Sequence, residues 1–130
     1  MTIIGKTIMC NVTTLQLDSD TVKVADIKKA AVINVARNAA LCKNISKIVL
    51  FGSSTGNSCA RDSDIDLAIF GDQSKNKCLT SNSFRKFTSS LYRFDNFGQT
   101  YDLLYFQNGK DYDCSIMEDI NQGEVVYIRK

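Results

Sequence analysis

Apolar positions along this chain recur at two periods, and the switches between them mark its elements. Ile45 to Phe51 (ISKIVLF) is a short apolar run that reads as a buried strand, ended by the turn Gly52-Ser53-Ser54-Thr55-Gly56. Asp64 to Phe70 (DIDLAIF) predicts a second strand closed by Gly71-Asp72, and Thr100 to Phe106 (TYDLLYF) a third. Phe84, Phe87, Leu91 and Phe94 recur at helical spacing, so residues 82–94 are expected to be a helix with its aromatic stripe in the core. Val24, Ile27, Ala31, Val35, Ala39 and Cys42 mark another helical face, behind the N-cap candidates Asp18-Ser19-Asp20. Ser115 and Glu118 have the spacing of a capping box for a short helix that Gly123 ends, and Val125 to Ile128 reads as an edge strand. Residues 2–17 are β-prone, as one strand or a hairpin, and 71–80 read as a polar loop. Strands separated by helices indicate an α/β layer architecture.

At 130 residues, with no proline, repeat or low-complexity tract, the chain has the length of a single domain, 1–130, whose first 20 residues form a β-prone extension. A net charge of +2 is too small to argue for a nucleic-acid or membrane surface. No apolar run approaches the ~20 residues of a membrane helix. The stretch Met1–Leu17 lacks the order of a signal peptide, so the expected location is the cytoplasm. The five cysteines, at 10, 42, 59, 78 and 114, contain no Cys-x-x-Cys pair and read as reduced thiols. Histidine is absent altogether, which removes Ser–His and Cys–His catalytic pairs and leaves proton transfer to carboxylates, lysine, tyrosine or water.

The chemistry concentrates in residues 51–70, FGSSTGNSCARDSDIDLAIF. Side chains alternate along a strand, so Asp64 and Asp66 share one face while Ile65, Leu67 and Ile69 take the other. Their Cα atoms then lie about 6.5–7 Å apart, and two carboxylates beside an apolar face repel each other and lose hydration. A divalent cation relieves both costs, and oxygen ligands favour magnesium. A solvated acidic edge is the ordinary reading of a lone Asp-x-Asp, but it leaves carboxylates inside an apolar run unexplained. A calcium loop fails, because Leu67 stands where the loop needs glycine and Gln73 where it needs glutamate. Gly52-Ser53 directly follows a strand, where free N–H groups and a hydroxyl can cradle phosphate, although no Walker motif is present. Asp102 adds a third acid within an apolar strand, on the face of Leu104 and Phe106. It is either a partly buried aspartate paired with a cation or a third ligand that also accepts a proton.

In order and spacing these residues resemble the DNA polymerase β-like nucleotidyltransferase superfamily, in particular its minimal, stand-alone branch. The family pattern is Gly-Ser, nine residues, then Ser-Asp-Ile-Asp-Leu; here it is Gly52-Ser53, 54–62, and Ser63-Asp64-Ile65-Asp66-Leu67. Ile48-Val49-Leu50-Phe51 and Tyr101-Asp102-Leu103 fit as well, and the resemblance covers roughly residues 24–128. The chain departs from it at Thr55-Gly56-Asn57, where relatives often carry Ala-Arg-Gly.

The resemblance implies a mixed β-sheet flanked by helices, with the active site at a sheet edge. Gly52 and Ser53 would hold the triphosphate of a nucleoside triphosphate. Asp64, Asp66 and Asp102 would bind two Mg2+ ions, for which Mn2+ can substitute, and Asp102 would activate the acceptor hydroxyl. The reaction implied is transfer of a nucleoside monophosphate, AMP in some members, with release of pyrophosphate. Minimal members often act beside a separate helical partner of the HEPN type in toxin–antitoxin pairs. The competing expectation is a non-catalytic, antitoxin-like binding protein with a vestigial site.

Overall fold

The structure is a computed structural model and describes residues 11–17, 21–56 and 63–129. Its first elements correct the sequence reading. Strand β1 (Val12–Gln16) pairs antiparallel with β2 (Thr21–Ala25), in register from Val12 opposite Ala25 to Gln16 opposite Thr21. A strand is therefore found at the described end of the 2–17 stretch, but its partner lies beyond that stretch, and Val24 sits in that partner strand rather than on a helix. Val22 and Val24 are buried and alternate with the exposed Thr21 and Lys23, the two-residue period of a strand. The expected N-cap residues 18–20 lie outside the described residues.

Helix begins only after a 3-10 turn, Asp26–Lys28, and runs as α1 (Lys29–Asn38) into a second such turn, Ala39–Leu41. Ala31, Val35, Ala39 and Cys42 are buried as their spacing requires. The tighter 3-10 turn rotates the entry, so Ile27 is 45% exposed while Lys28 is 1% exposed.

The main sheet has the order β5-β4-β3-β6. Its central strand β3 (Ile45–Phe51) pairs antiparallel with β4 (Ile65–Gly71) and with the edge strand β6 (Glu124–Ile128). On the far side β4 pairs parallel with β5 (Tyr101–Gln107). The sheet is therefore mixed, and the chain a mixed α/β fold. A parallel join needs a long crossover, and here it carries two helices. The first, α2 (Lys75–Leu79), replaces part of the expected loop: the Ser74 side chain accepts from the Lys77 amide at 3.3 Å, and Cys78 is buried beneath it. The second, α3 (Asn82–Arg93), is capped by Ser81. Phe84, Phe87 and Leu91 are buried as expected, but Phe94 falls at the helix end and is 47% exposed.

Helix α4 (Ile116–Asn121) forms without the expected capping box. Ser115 has helical torsions (φ −61°, ψ −29°), whereas a capping side chain needs an extended backbone, so the Glu118 amide bonds instead to the Ser115 carbonyl at 3.2 Å. Gly123 follows the helix end and lets it close onto the sheet, since a Cβ there would stand 2.5 Å from the Leu50 carbonyl oxygen.

Among the described residues the two faces of the sheet are covered unequally. One packs Ile48, Leu50, Ile65, Leu67 and Ile69 against α1, α3 and the hairpin, with Phe87 fully buried at the interface. Burial of such a side chain stabilises by about 1.5–3 kcal/mol. The other face has a smaller cluster, Val49, Phe51, Ala68 and Phe106, covered by Ile120 and its neighbours on α4. Among the described residues no helix is long and apolar enough to cross a membrane.

Candidate active site

Gly52 follows β3 directly and has a left-handed backbone, φ +77°, which opens a 3-10 turn over Gly52–Thr55. The turn is closed by the Thr55 hydroxyl donating to the Gly52 carbonyl at 2.8 Å and by the Gly56 amide donating to the Ser53 carbonyl at 3.2 Å. Ser53 is partly exposed on it. Ser54 is fully buried, and its hydroxyl has no hydrogen-bond partner among the described residues.

Beside this turn β4 begins. Its ladder places Asp66 opposite Phe51 on one side and opposite Asp102 of β5 on the other. The period-two alternation puts both carboxylates on the thinly covered face, in line with Ala68 and Phe106. A Cβ on Gly52 would stand 2.3 Å from Oδ2 of Asp66, so the glycine turn and this carboxylate are in direct apposition. Asp64 lies one residue before the strand, and its carboxylate accepts a hydrogen bond from the Thr100 hydroxyl. The structure thus gathers Gly52, Asp64, Asp66 and Asp102 at one end of the β4–β5 pair, with Ser53 on the adjoining turn.

The electrostatics agree with that grouping. Asp66 is pushed above the usual carboxylate range, first by partial burial and then by the negative charges of Asp102 and Asp64. Three hard oxygen donors in mutual repulsion are suited to a hard divalent cation, so the residues present fit magnesium chemically. Among the described residues, however, no three acidic, thiol or imidazole side chains already converge as a metal centre, and Asp64 is engaged with Thr100. The grouping is one of neighbouring acids, not of a closed cage.

Shape alone points elsewhere. A hollow of about 940 Å³ lies between β1, α1 and β6, lined by residues such as Leu15, Ile33, Arg37 and Val126 and by no carboxylate. A metal–triphosphate site needs oxygen donors, so the chemistry belongs to the acidic edge and not to this hollow.

Sequence reasoning missed three residues here. Thr100 has no motif to announce it. Lys28 and Gln99 are buried together beneath the start of β4 and β5, the Lys28 ammonium donating to Gln99 Oε1 at 2.8 Å. Lys28 does carry a signal: it lies three residues before Ala31 and four before Val32, on the apolar face of the helix that follows.

Strand order, the paired aspartates and the glycine turn together describe a nucleotidyltransferase domain. The family model for polymerase beta nucleotidyltransferases matches residues 31–130, and the chain belongs to that family. Comparison with curated protein sequences gave no match.

Proposed function

We propose that this protein transfers a nucleoside monophosphate, AMP being the favoured group, from a magnesium-bound nucleoside triphosphate to a hydroxyl on a macromolecule. The observation that carries the reading is the in-register pairing of Asp66 with Asp102, with Gly52 apposed to the same carboxylate. Asp64, Asp66 and Asp102 are the residues that would hold magnesium. When bound, the ions would offset charge on the phosphates and on the departing pyrophosphate. Asp102, exposed beside Asp66, is placed to take the proton of an incoming hydroxyl. Gly52 contributes by lacking a side chain, which leaves the approach to Asp66 open, and Ser53 offers its hydroxyl and amide to phosphate.

The shape of this edge supports a macromolecular acceptor. Among the described residues the carboxylates stand on the more thinly covered sheet face, outside the hollow between β1, α1 and β6. Enclosing a small acceptor takes a concave site that buries most of its surface, whereas a macromolecule brings its own surface. The likeness to minimal members favours a separate helical partner of HEPN type, encoded as half of a toxin–antitoxin pair. The test is incubation with α-labelled ATP, magnesium and co-purified partner, followed by mass spectrometry to locate the label. Label on a protein or RNA hydroxyl, absent with Asp66→Asn, is expected. Label only on a free small molecule would defeat the acceptor assignment alone. Absence of any transfer, with ATP–magnesium binding that Asp64→Ala leaves unchanged, would replace the enzyme by the partner-binding protein.

A further inference from the structure

The 3-10 turn before α1 buries a lysine where an apolar residue would fill the same space. Removing an ammonium from water costs several kcal/mol unless good hydrogen bonds replace its hydration. Lys28 makes such bonds: Nζ donates to the Ser63 carbonyl at 2.7 Å and to Gln99 Oε1 at 2.8 Å. The Gln99 amide in turn donates to the Ser63 carbonyl at 3.1 Å and to the Thr100 carbonyl at 2.7 Å. One backbone oxygen, that of Ser63, thus receives two side-chain donors from distant parts of the chain.

That oxygen belongs to the peptide unit joining Ser63 to Asp64. A peptide unit is planar, so fixing its oxygen also fixes the amide and Cα of the following residue. The second carbonyl held by Gln99, that of Thr100, also accepts from the Ile65 amide at 3.0 Å, where the β4–β5 pairing begins. Thr100 is itself the residue whose hydroxyl engages the Asp64 carboxylate. Lys28 and Gln99 therefore hold both the backbone from which Asp64 projects and the residue its side chain touches.

We infer that Lys28 and Gln99 are positioning residues for the carboxylate edge, acting through the Ser63 carbonyl to set where Asp64 stands for divalent-cation binding. The inference rests on the proposed cation-binding role of Asp64 and Asp66. A leucine or methionine at position 28 could fill the volume but could not donate to Ser63. Outer-shell partners of metal ligands typically cost about 10–100-fold in metal affinity when removed.

The test reads cation binding rather than transfer. Free Mn2+ is followed by electron paramagnetic resonance during titration of the full chain with a non-hydrolysable ATP analogue present. Wild type, Lys28→Met, Lys28→Arg, Gln99→Glu and Asp66→Asn are compared, with circular dichroism as the check on folding. The expected result is a fall in Mn2+ affinity of about tenfold or more in folded Lys28→Met. Gln99→Glu, which keeps an acceptor for Lys28 but loses both donations, should show a similar fall. Lys28→Arg, which can still donate to Ser63, should recover part of the loss. Affinity within about twofold of wild type in either folded variant, against the scale of that expectation, would overturn the inference and leave the site assignment intact. If Lys28→Met does not fold, Gln99→Glu decides; if neither folds, the pair serves folding alone and the inference is wrong. Wild-type binding that Asp66→Asn does not weaken would instead remove the site assignment, and this inference with it.

Discussion

Gly52→Ala separates the stability of the fold from the geometry of the acidic edge. Two effects act on the alanine. Its backbone would have to keep φ +77°, a left-handed conformation that costs an L-residue about 1–2 kcal/mol. Its Cβ would also stand 2.3 Å from Asp66 Oδ2, 3.3 Å from Cγ and 3.5 Å from Cβ of the same side chain. The close atom ends a rotatable side chain, so the carboxylate swings aside rather than forcing β3 and β4 apart. The stability loss should then stay near the backbone value, a fall of roughly 3–8 °C in Tm. The catalytic loss should be much larger, because a misplacement of about 1 Å costs on the order of 100-fold in rate. Gly56→Ala is the control: no atom of the described residues lies within 4 Å of its added Cβ, and its torsions (φ −135°, ψ −172°) suit alanine. Its Tm should hold or rise slightly, with transfer unchanged. The assay is thermal melting beside transfer of label from α-labelled ATP to the co-purified acceptor. Near-wild-type transfer by Gly52→Ala, or an equal loss in Gly56→Ala, would refute the apposition of this turn with Asp66.

Asp66→Asn should abolish transfer yet raise Tm in metal-free buffer near neutral pH. The folded state holds the Asp66 proton more tightly than the unfolded chain, so the ionised carboxylate lowers stability above its raised pKa. That cost fades as pH falls through the raised value toward the ordinary 3.8, so the Tm gain of Asp66→Asn should shrink over the same window in calorimetry; a gain independent of pH would contradict it. At the opposite end of β4, Asn44→Ala should cost about 2–3 kcal/mol in urea denaturation while leaving transfer unchanged. Asn44 accepts from the Asp72 and Gln73 amides at 2.9 and 2.8 Å and donates to the Tyr105 hydroxyl at 2.9 Å. A loss under about 0.5 kcal/mol would show that water replaces these bonds.

The elements legible in the sequence are those whose burial is one-sided and regular. β3, β4, β5 and β6 were each located to within a residue or so, because their apolar runs end at turn residues or at a change of period. α3 was legible from Phe84, Phe87 and Leu91. The first helix was misplaced at its start because Val24 and Ile27 satisfy a spacing of three, although Val22 and Val24 also satisfy a spacing of two. Only pairing with β1 decides between them. The helix α2 was hidden by polar composition, since a single capped turn buries little beyond Cys78. At the site, the face shared by acids on β4 and β5 was readable from alternation. The groups that hold this edge were not, because Thr100 reaches Asp64, and Lys28 and Gln99 reach the Ser63 carbonyl, through tertiary contacts.

The register of β4 with β5 has a consequence for how this protein can change over generations. Asp66 faces Asp102 only while Tyr101 and Tyr105 of the same strand stay buried in the larger cluster. A slip of one residue would turn Asp102 toward the core, and a slip of two would set Thr100 or Leu104 against Asp66. The choice of apolar side chains on β5 is therefore also a choice of where its acid stands. If the proposed transfer is what this edge performs, drift in this part of the core is confined to substitutions that preserve strand alignment as well as volume, and variants that fold acceptably in a slipped register would be lost by selection on that activity, not on stability.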